Sequence, residues 1–364
     1  MSPLDAGSLF LFTALFTGLE TMKRLILFLA ACLLGVVFAR FHVPIPYMLG
    51  GMLAALAAKK NQGSEISWPV NWRNWMLGVA GYGIGRNCNL ETLQQLSHHT
   101  VSVLLTGVLT IFVSVLIAVW VYRCTYSNLL TCVLGAMPGG MTQMLLMTEE
   151  DSRADANAVV VSQTLRFFGV VVAVPFLAIS LFEANSVESV NIINKTWTWG
   201  WLWLVPITFA GRRLAERLKI PTGSLLGPII LSAVVSCLWK PMDAVPGIFM
   251  AFAQLHIGLY IGLMLDNERL LMTRRLIPYF LAGTVIMIIA SIVFAIVLSR
   301  YFQFSVTAAF LAMAPGGIGE MCLAGLSMGE DVSLILTYQL VRVLLINLTV
   351  PFIVKWYFRT HACN

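Results

Sequence analysis

Two long stretches of this chain contain no acidic or basic residue, Thr100 to Tyr122 and Leu276 to Ser299. Each is long enough to cross the hydrocarbon core of a bilayer, which takes about 20 apolar residues. The composition agrees, because 59% of the residues are hydrophobic and 11% are charged, against about 25% charged in an ordinary soluble domain. The sequence therefore predicts an all-α, polytopic membrane protein.

The net charge of +6 lies mostly in short basic clusters at the ends of apolar segments. These clusters are Lys23-Arg24, Lys59-Lys60, Arg212-Arg213 and Arg274-Arg275. Clusters of this kind set membrane topology and contact lipid headgroups. We therefore expect the lipid bilayer as a partner and no nucleic acid. The seven cysteines include no CxxC pair, which argues against a disulfide framework.

The chain contains two copies of one hydrophobic repeat. Val43-Pro44 recurs as Ile220-Pro221, an offset of 177 positions. At the same offset, Gly81, Gly85 and Pro138-Gly139-Gly140 match Gly258, Gly262 and Pro315-Gly316-Gly317. After a one-residue deletion the offset is 176, and Asp155, Gln163, Arg166 and Pro175 match Asp331, Gln339, Arg342 and Pro351. Identities in register over this length indicate an internal duplication.

The duplication divides the chain into five parts. They are an N-terminal segment at 1–22, membrane repeat 1 at 23–182, a linker at 183–196, membrane repeat 2 at 197–357 and a C-terminal tail at 358–364. The first repeat has predicted helices near 24–39, 45–58, 73–88, 99–122, 128–147 and 154–182, and the second near 197–216, 222–238, 244–266, 276–300, 305–327 and 331–357. Several are too short to span a bilayer alone at 1.5 Å per residue, so we expect about 10–12 helices in the membrane.

Basic residues orient the second repeat but not the first. Arg212-Arg213 and Arg274-Arg275 mark loops two crossings apart as cytoplasmic, as the positive-inside rule predicts. In the first repeat, basic residues fall on both sides. We favour inverted over parallel repeats, because duplicated membrane folds with interrupted helices are commonly inverted transporter folds.

A Pro-Gly-Gly motif interrupts an apolar helix in each repeat, at Pro138, Gly139 and Gly140 and again at Pro315, Gly316 and Gly317. Proline removes a backbone N–H, and glycine is the poorest helix former after it. Broken backbone survives in a membrane where protein or water lines it, and its helix ends suit a small anion or a coupling cation. A simple kink or a close helix contact is the structural alternative.

Each motif is followed, three residues after its second glycine, by a polar side chain, Gln143 in repeat 1 and Glu320 in repeat 2. This recurrence favours a binding site over a kink. Glu320 supplies a carboxylate for a coupling H⁺ or Na⁺, and the sequence predicts no other cofactor. The mismatch between Gln143 and Glu320 is where we expect the coupling chemistry.

The last helix of each repeat carries a Gln-x-x-Arg pair, Gln163 with Arg166 and Gln339 with Arg342. The spacing places both side chains on one helical face. Each arginine is the single charge in a long apolar segment, where a charge costs about 2.5–3.5 kcal/mol and usually faces a cavity or a partner. The candidate partners are Glu320, Asp155, Asp331, a substrate carboxylate and the carbonyl oxygens freed by the breaks. Two roles stay open, binding an anionic substrate or holding the broken helices together.

Glycines four apart, Gly81 with Gly85 and Gly258 with Gly262, predict close helix packing, which we expect against the broken helices. The sequence offers little for catalysis. Its five histidines form no HExxH motif, and no GxSxG motif is present. The pair His98-His99 is predicted to lie at a membrane interface. We expect no enzymatic activity.

The duplicated Pro-Gly-Gly, the Gln-x-x-Arg pairs and the spaced glycines resemble the bacterial AbrB membrane proteins, which are unrelated to the soluble transition-state regulator of that name. The resemblance covers essentially the whole chain. Members are described as regulators of gene expression or as ammonia monooxygenases, and the family is similar to the cation/proton antiporter and anion transporter grouping. The sequence shows neither a metal or cofactor site for a monooxygenase nor a soluble DNA-reading domain.

We therefore expect a multi-pass secondary transporter of the bacterial inner membrane that carries a small anionic organic solute. The predicted binding residues are Arg166, Arg342, Gln163, Gln339, Gln143, Glu320, Pro138, Gly139, Gly140, Pro315, Gly316 and Gly317. The alternative is a membrane sensor that binds the same ligand and affects gene expression indirectly, as the family resemblance implies. A homo-oligomer is compatible with either.

Overall fold

The computed structural model describes residues 6–62, 66–87, 100–125, 127–151, 153–182, 199–218, 220, 222–238 and 242–360. Within these ranges every regular element is a helix, and none is a strand. The predicted linker at 183–196 and the pair His98-His99 lie outside the described residues.

The first repeat contains seven described helices. They are α1 (Ala6–Arg40), α2 (Pro46–Gln62), α3 (Val70–Gly85), α4 (Thr100–Cys124), α5 (Leu129–Ala136), α6 (Met141–Glu150) and α7 (Ala156–Phe182). In the second repeat a 3-10 turn at Trp199–Trp203 leads into α8 (Leu204–Arg217), α9 (Gly223–Leu238), α10 (Gly247–Met264), α11 (Asn267–Met272), α12 (Ile277–Phe302), α13 (Val306–Met313), α14 (Ile318–Ser327) and α15 (Val332–Thr360).

Six of the described helices are long and apolar enough to cross a membrane. They are Thr21–Arg40, Thr100–Cys124, Ala156–Phe182, Gly247–Met264, Ile277–Phe302 and Val332–Val354. Many large apolar side chains on these helices are exposed, such as Leu33, Val101 and Leu348. Since such surface belongs in lipid, the prediction of an all-α, polytopic membrane protein is confirmed.

Helix starts recur along the chain at the offset seen in the sequence. Pro46 and Gly223, Val70 and Gly247, Thr100 and Ile277, Leu129 and Val306, and Met141 and Ile318 begin equivalent helices. Both predicted interruptions are present. Two differences stand out: α1 begins at Ala6 instead of near residue 24, and the short α11 was not predicted. The inverted relation and the domain division stay predictions.

The spaced glycines pack against a partner that the sequence did not predict. A Cβ added at Gly81 would meet the carbonyl oxygen of Leu225 on α9, and one added at Gly258 would meet that of Met48 on α2. The expected packing against the broken helices is therefore wrong for these glycine faces. Met48 and Leu225 are equivalent positions. The glycine helix of each repeat, α3 or α10, therefore packs against the second helix of the other repeat, α9 or α2.

The helices fall into two groups. The scaffold, which we define as α1 to α3 with α8 to α10, is built on these glycine contacts. The core, which we define as α4 to α7 with α11 to α15, contains both broken helices. The two groups meet where α14 packs on α3, and a Cβ added at Gly319 would lie 3.3 Å from Leu225 Cδ2. This arrangement places the breaks inside the core, beside the scaffold.

Candidate functional site

Each broken helix ends in extended backbone at its Pro-Gly-Gly motif. At the end of α5, Met137 has φ −68° and ψ 124°, and Gly140, which precedes α6, has φ −65° and ψ 123°. The second break is similar, with Ala314 at φ −58° and Gly317 at φ −75°. All four φ values are negative, so the breaks do not need the left-handed conformation that glycine permits. At Gly139, Gly316 and Gly317 a Cβ would lie within 3.0 Å of a neighbouring side chain, so these three glycines serve close packing.

The carbonyl groups at the end of α5 all find donors on one face of α7. The amide of Gln163 donates to the carbonyl oxygens of Leu134 at 2.6 Å and Met137 at 2.9 Å. Ser162 Oγ donates to Gly135 at 3.1 Å, and Arg166 Nη1 donates to Met137 at 2.7 Å. A helix end leaves its last carbonyls without intrahelical partners. Three side chains of α7 therefore replace the missing turn of helix.

The second repeat shows the same hydrogen-bond pattern. The amide of Gln339 donates to the carbonyl oxygens of Leu311 at 2.8 Å and Ala314 at 2.9 Å. Arg342 Nη1 donates to Met313 at 3.1 Å and to Ala314 at 2.9 Å. In both repeats a second guanidinium nitrogen donates to the glutamine oxygen, from Arg166 to Gln163 and from Arg342 to Gln339. The Gln-x-x-Arg pair thus supplies hydrogen-bond donors for the last carbonyl groups of each broken helix.

Both arginines are buried without a carboxylate. Arg166 is 8% exposed and Arg342 is 3% exposed. No acidic side chain contacts either guanidinium in the part of the chain that the structure describes, and the Nε of each is buried with no hydrogen-bond partner. Asp155 and Asp331, considered as partners from the sequence, instead cap the N-termini of α7 and α15. The positive charges are therefore met by carbonyl dipoles alone.

The half-helices that follow the breaks differ between the repeats. The carboxylate of Glu320 folds back to the start of α14 and occupies the space that a Cβ at Gly317 would need. A negative side chain in the first turn of a helix favours its positive N-terminus. Gln143, the equivalent residue of α6, is exposed. The structure thus gathers Glu320 with the second break but leaves Gln143 at the surface.

One polar residue at the first break was missed from the sequence. Asn347 of α15 accepts a hydrogen bond from the backbone N–H of Gly140 at 3.3 Å. Its counterpart in repeat 1 is the apolar Val171. An asparagine in an otherwise apolar membrane helix is itself a signal for a buried polar contact. It ties the last helix of repeat 2 to the break of repeat 1.

No cluster of three or more His, Cys, Asp or Glu suited to a metal ion occurs among the described residues. What the site offers is therefore a pair of guanidinium groups, backbone N–H groups at two half-helix N-termini and one buried carboxylate. Of the predicted binding residues, Gln163, Arg166, Gln339 and Arg342 lie with the carbonyl ends of the breaks, and Glu320 lies at the amide end of the second.

Comparison with known proteins agrees with the motifs. The family model described as "Transition state regulatory protein AbrB" matches residues 47–358. The chain is 26% identical over 330 residues to "Putative regulator AbrB" of Escherichia coli (strain K12), covering 89% of this chain and 93% of that protein. It is 27% identical over 306 residues to "Uncharacterized protein YhjN" of Bacillus subtilis (strain 168), covering 77% of each. The chain therefore belongs to the AbrB family.

Proposed function

We propose that this protein is a secondary transporter that moves a small organic anion across the bacterial inner membrane as a multi-pass protein. The observation that carries the proposal is the pair of buried guanidinium groups, Arg166 and Arg342, held at two broken helices without an acidic partner. A buried charge in a membrane normally faces a partner or a substrate path.

The charge balance of the site supports an anion. The carbonyl ends of α5 and α13 each supply about −0.5 of a charge, which offsets about half of the charge of the two arginines. The amide ends of α6 and α14 add about +0.5 each, and the ionised carboxylate of Glu320 contributes one negative charge, so the site keeps a net charge of about +1. One small anion bound at the breaks would balance this remaining charge.

The two half-helices are placed differently, as expected for a transporter that opens to one side at a time. All residues of α14 from Ile318 to Gly325 are buried. On α6, Gln143 and Leu146 are exposed. In a second state we expect α6 to dock on the scaffold as α14 does here, while α14 is released. The buried Oε1 of Gln254 on α10, which has no hydrogen-bond partner, lies at the position equivalent to Leu77, a neighbour of Gly319.

Glu320 is the proposed carrier of a coupling H⁺ or Na⁺. It is 8% exposed. The preceding residue, Gly319, packs against Leu225 and Leu77 of the scaffold. Because Glu320 lies on the half-helix that joins core and scaffold, neutralising its carboxylate would change the charge at this junction.

Flux through liposomes tests the proposal. The purified protein is reconstituted, and uptake of a panel of small mono- and dicarboxylates is measured under pH, Na⁺ and voltage gradients. We expect gradient-driven uptake of at least one anion, lost or uncoupled in Glu320→Gln and retained in Glu149→Gln, a matched change at an exposed position. Binding of these anions without any flux under every gradient would refute transport.

Anion binding without flux would instead favour a membrane sensor. The observation behind this alternative is the name of the Escherichia coli relative, "Putative regulator AbrB". A sensor would use the same guanidinium pair to bind an anion and would signal through its membrane faces. Ligand binding without flux, together with altered gene expression in a deletion strain, would support this function.

A further inference from the structure

A small cavity of about 20 Å³ opens beside Arg166, between α4, α5, α7 and α12. Its lining includes Ser162, Gly135, Ala136 and Arg166, close to the end of α5. Tyr279, near the start of α12, lines the cavity and lies 6.1 Å from Trp120, ring centroid to ring centroid. A cavity of this size has room for one water-sized or halide-sized particle.

In the second repeat two of the equivalent positions carry larger side chains. Tyr338 stands where repeat 1 has Ser162, and it is 2% exposed. Its hydroxyl forms a 2.7 Å hydrogen bond with Ser102, the counterpart of Tyr279. Met313 likewise replaces the smaller Ala136. The serine and tyrosine have therefore exchanged helices between the repeats, so the helix that carries the arginine has a small serine in repeat 1 and a buried tyrosine in repeat 2.

The walls of the cavity suit a small anion. Arg166 contributes the positive charge, and its buried Nε has no hydrogen-bond partner. The hydroxyls of Ser162 and Thr284 already donate to backbone carbonyls, Ser162 to Gly135 and Thr284 to Phe280. The remaining walls are largely apolar, including Ile117 and Met287. A site with one cation and no acidic wall excludes cations and selects an anion of low charge.

We propose that this cavity is a binding site for one small monovalent anion, and that the site exists in repeat 1 alone. Arg166 is then the anion-binding arginine, while Arg342 is confined to closing the second broken helix. This inference deepens the proposed function, since it names the arginine and the subsite that receive the anionic group. Binding itself does not require transport.

The test introduces the larger residues of the second repeat at the equivalent positions of the first, and we call these substitutions plugs. Ser162→Tyr and Ala136→Met each place the residue of repeat 2 into the cavity, and Tyr338→Phe is a control that leaves the cavity unchanged. Unfolding temperature is measured on the purified full chain while gluconate is replaced by bromide or formate at constant ionic strength. We expect a saturable rise of about 2 °C or more in the wild type and in Tyr338→Phe. Each plug should weaken apparent affinity at least about tenfold.

Two plugs keep the test decisive if one of them does not fold, as judged by gel filtration and by the unfolding temperature in gluconate. The inference is overturned if the wild type shows no saturable anion effect, or if a folded plug variant keeps the wild-type response. A protein that binds bromide but carries no anion across liposomes would refute transport and leave the cavity site standing.

Discussion

Arg166 donates to the carbonyl oxygen of Met137 at 2.7 Å, so the charge on one helix closes the end of another. The same relation joins Arg342 to Ala314 at 2.9 Å. A guanidinium used in this way is both a structural cap and an unneutralised charge. The arginines therefore stabilise the breaks and also make them electropositive. Variants can test the stabilising role and the charge separately.

Replacing Gln339 with leucine should destabilise the protein. The change removes the donor for the carbonyl oxygen of Leu311 and one donor for that of Ala314. A buried acceptor left unpaired costs about 1–3 kcal/mol. The equivalent-sized change Gln143→Leu, at an exposed position, should stay within about 0.5 kcal/mol. Unfolding temperatures in detergent would compare them, and equal losses would contradict the capping role.

The glycines that precede the two half-helices, Gly140 before α6 and Gly317 before α14, should respond differently to replacement by alanine. At Gly317 a Cβ would collide with the Glu320 carboxylate and lie 2.7 Å from a ring carbon of Phe167. At Gly140 the nearest atom would be 3.7 Å away, an ordinary contact. Since φ is negative at both sites, the backbone accepts alanine at either. We expect Gly317→Ala to impair folding or uptake and Gly140→Ala to resemble wild type in both measurements.

Disulfide trapping should capture both states of the transport cycle. In the present structure Gly319 faces Leu225, so the pair Gly319→Cys with Leu225→Cys should cross-link in this state. The equivalent pair in the other half, Thr142→Cys with Met48→Cys, should cross-link once α6 docks. Each bond is expected to stop uptake, and reduction to restore it. Failure of the second pair to form under any gradient would argue against the exchange of half-helices.

Proton coupling should depend on Glu320. If its carboxylate carries the coupling proton, uptake by the wild type will depend on the external pH, and Glu320→Gln will transport, if at all, with a flat pH profile. Glu149→Gln should keep the wild-type profile. A Na⁺ requirement that persists in Glu320→Gln would assign the coupling ion to another group. The measurement is initial uptake rate against pH at fixed voltage.

Much of this fold follows from the sequence because its constraints are local and strong. Uncharged segments require burial in lipid, and a proline followed by two glycines, at Pro138 and at Pro315, disfavours a continuous helix. Gln163 and Arg166 share a helical face by spacing alone, which brought them together as a predicted pair. The carbonyl oxygens freed by the breaks were among their predicted partners.

The remainder depends on which helix meets which. Periodicity shows that Gly81 and Gly258 pack closely, but not that their partners are α9 and α2. The repeat offset shows that Gln143 and Glu320 are equivalent positions, but not that Gln143 is exposed and Glu320 is buried. Asn347 and Tyr338 acquire their roles from contacts across the repeats, which no spacing within one repeat reveals.

Because each glycine helix packs against the other repeat, the fold also has an order of assembly. The backbone around Met48 on α2 is matched by Gly258 on α10, a residue made about 210 positions later, or roughly 10–40 s at 5–20 residues per second. During that interval α2 lacks its closest neighbour. The first repeat is therefore synthesised before the helix that covers this face of α2, and its packing is completed only when the second repeat is made.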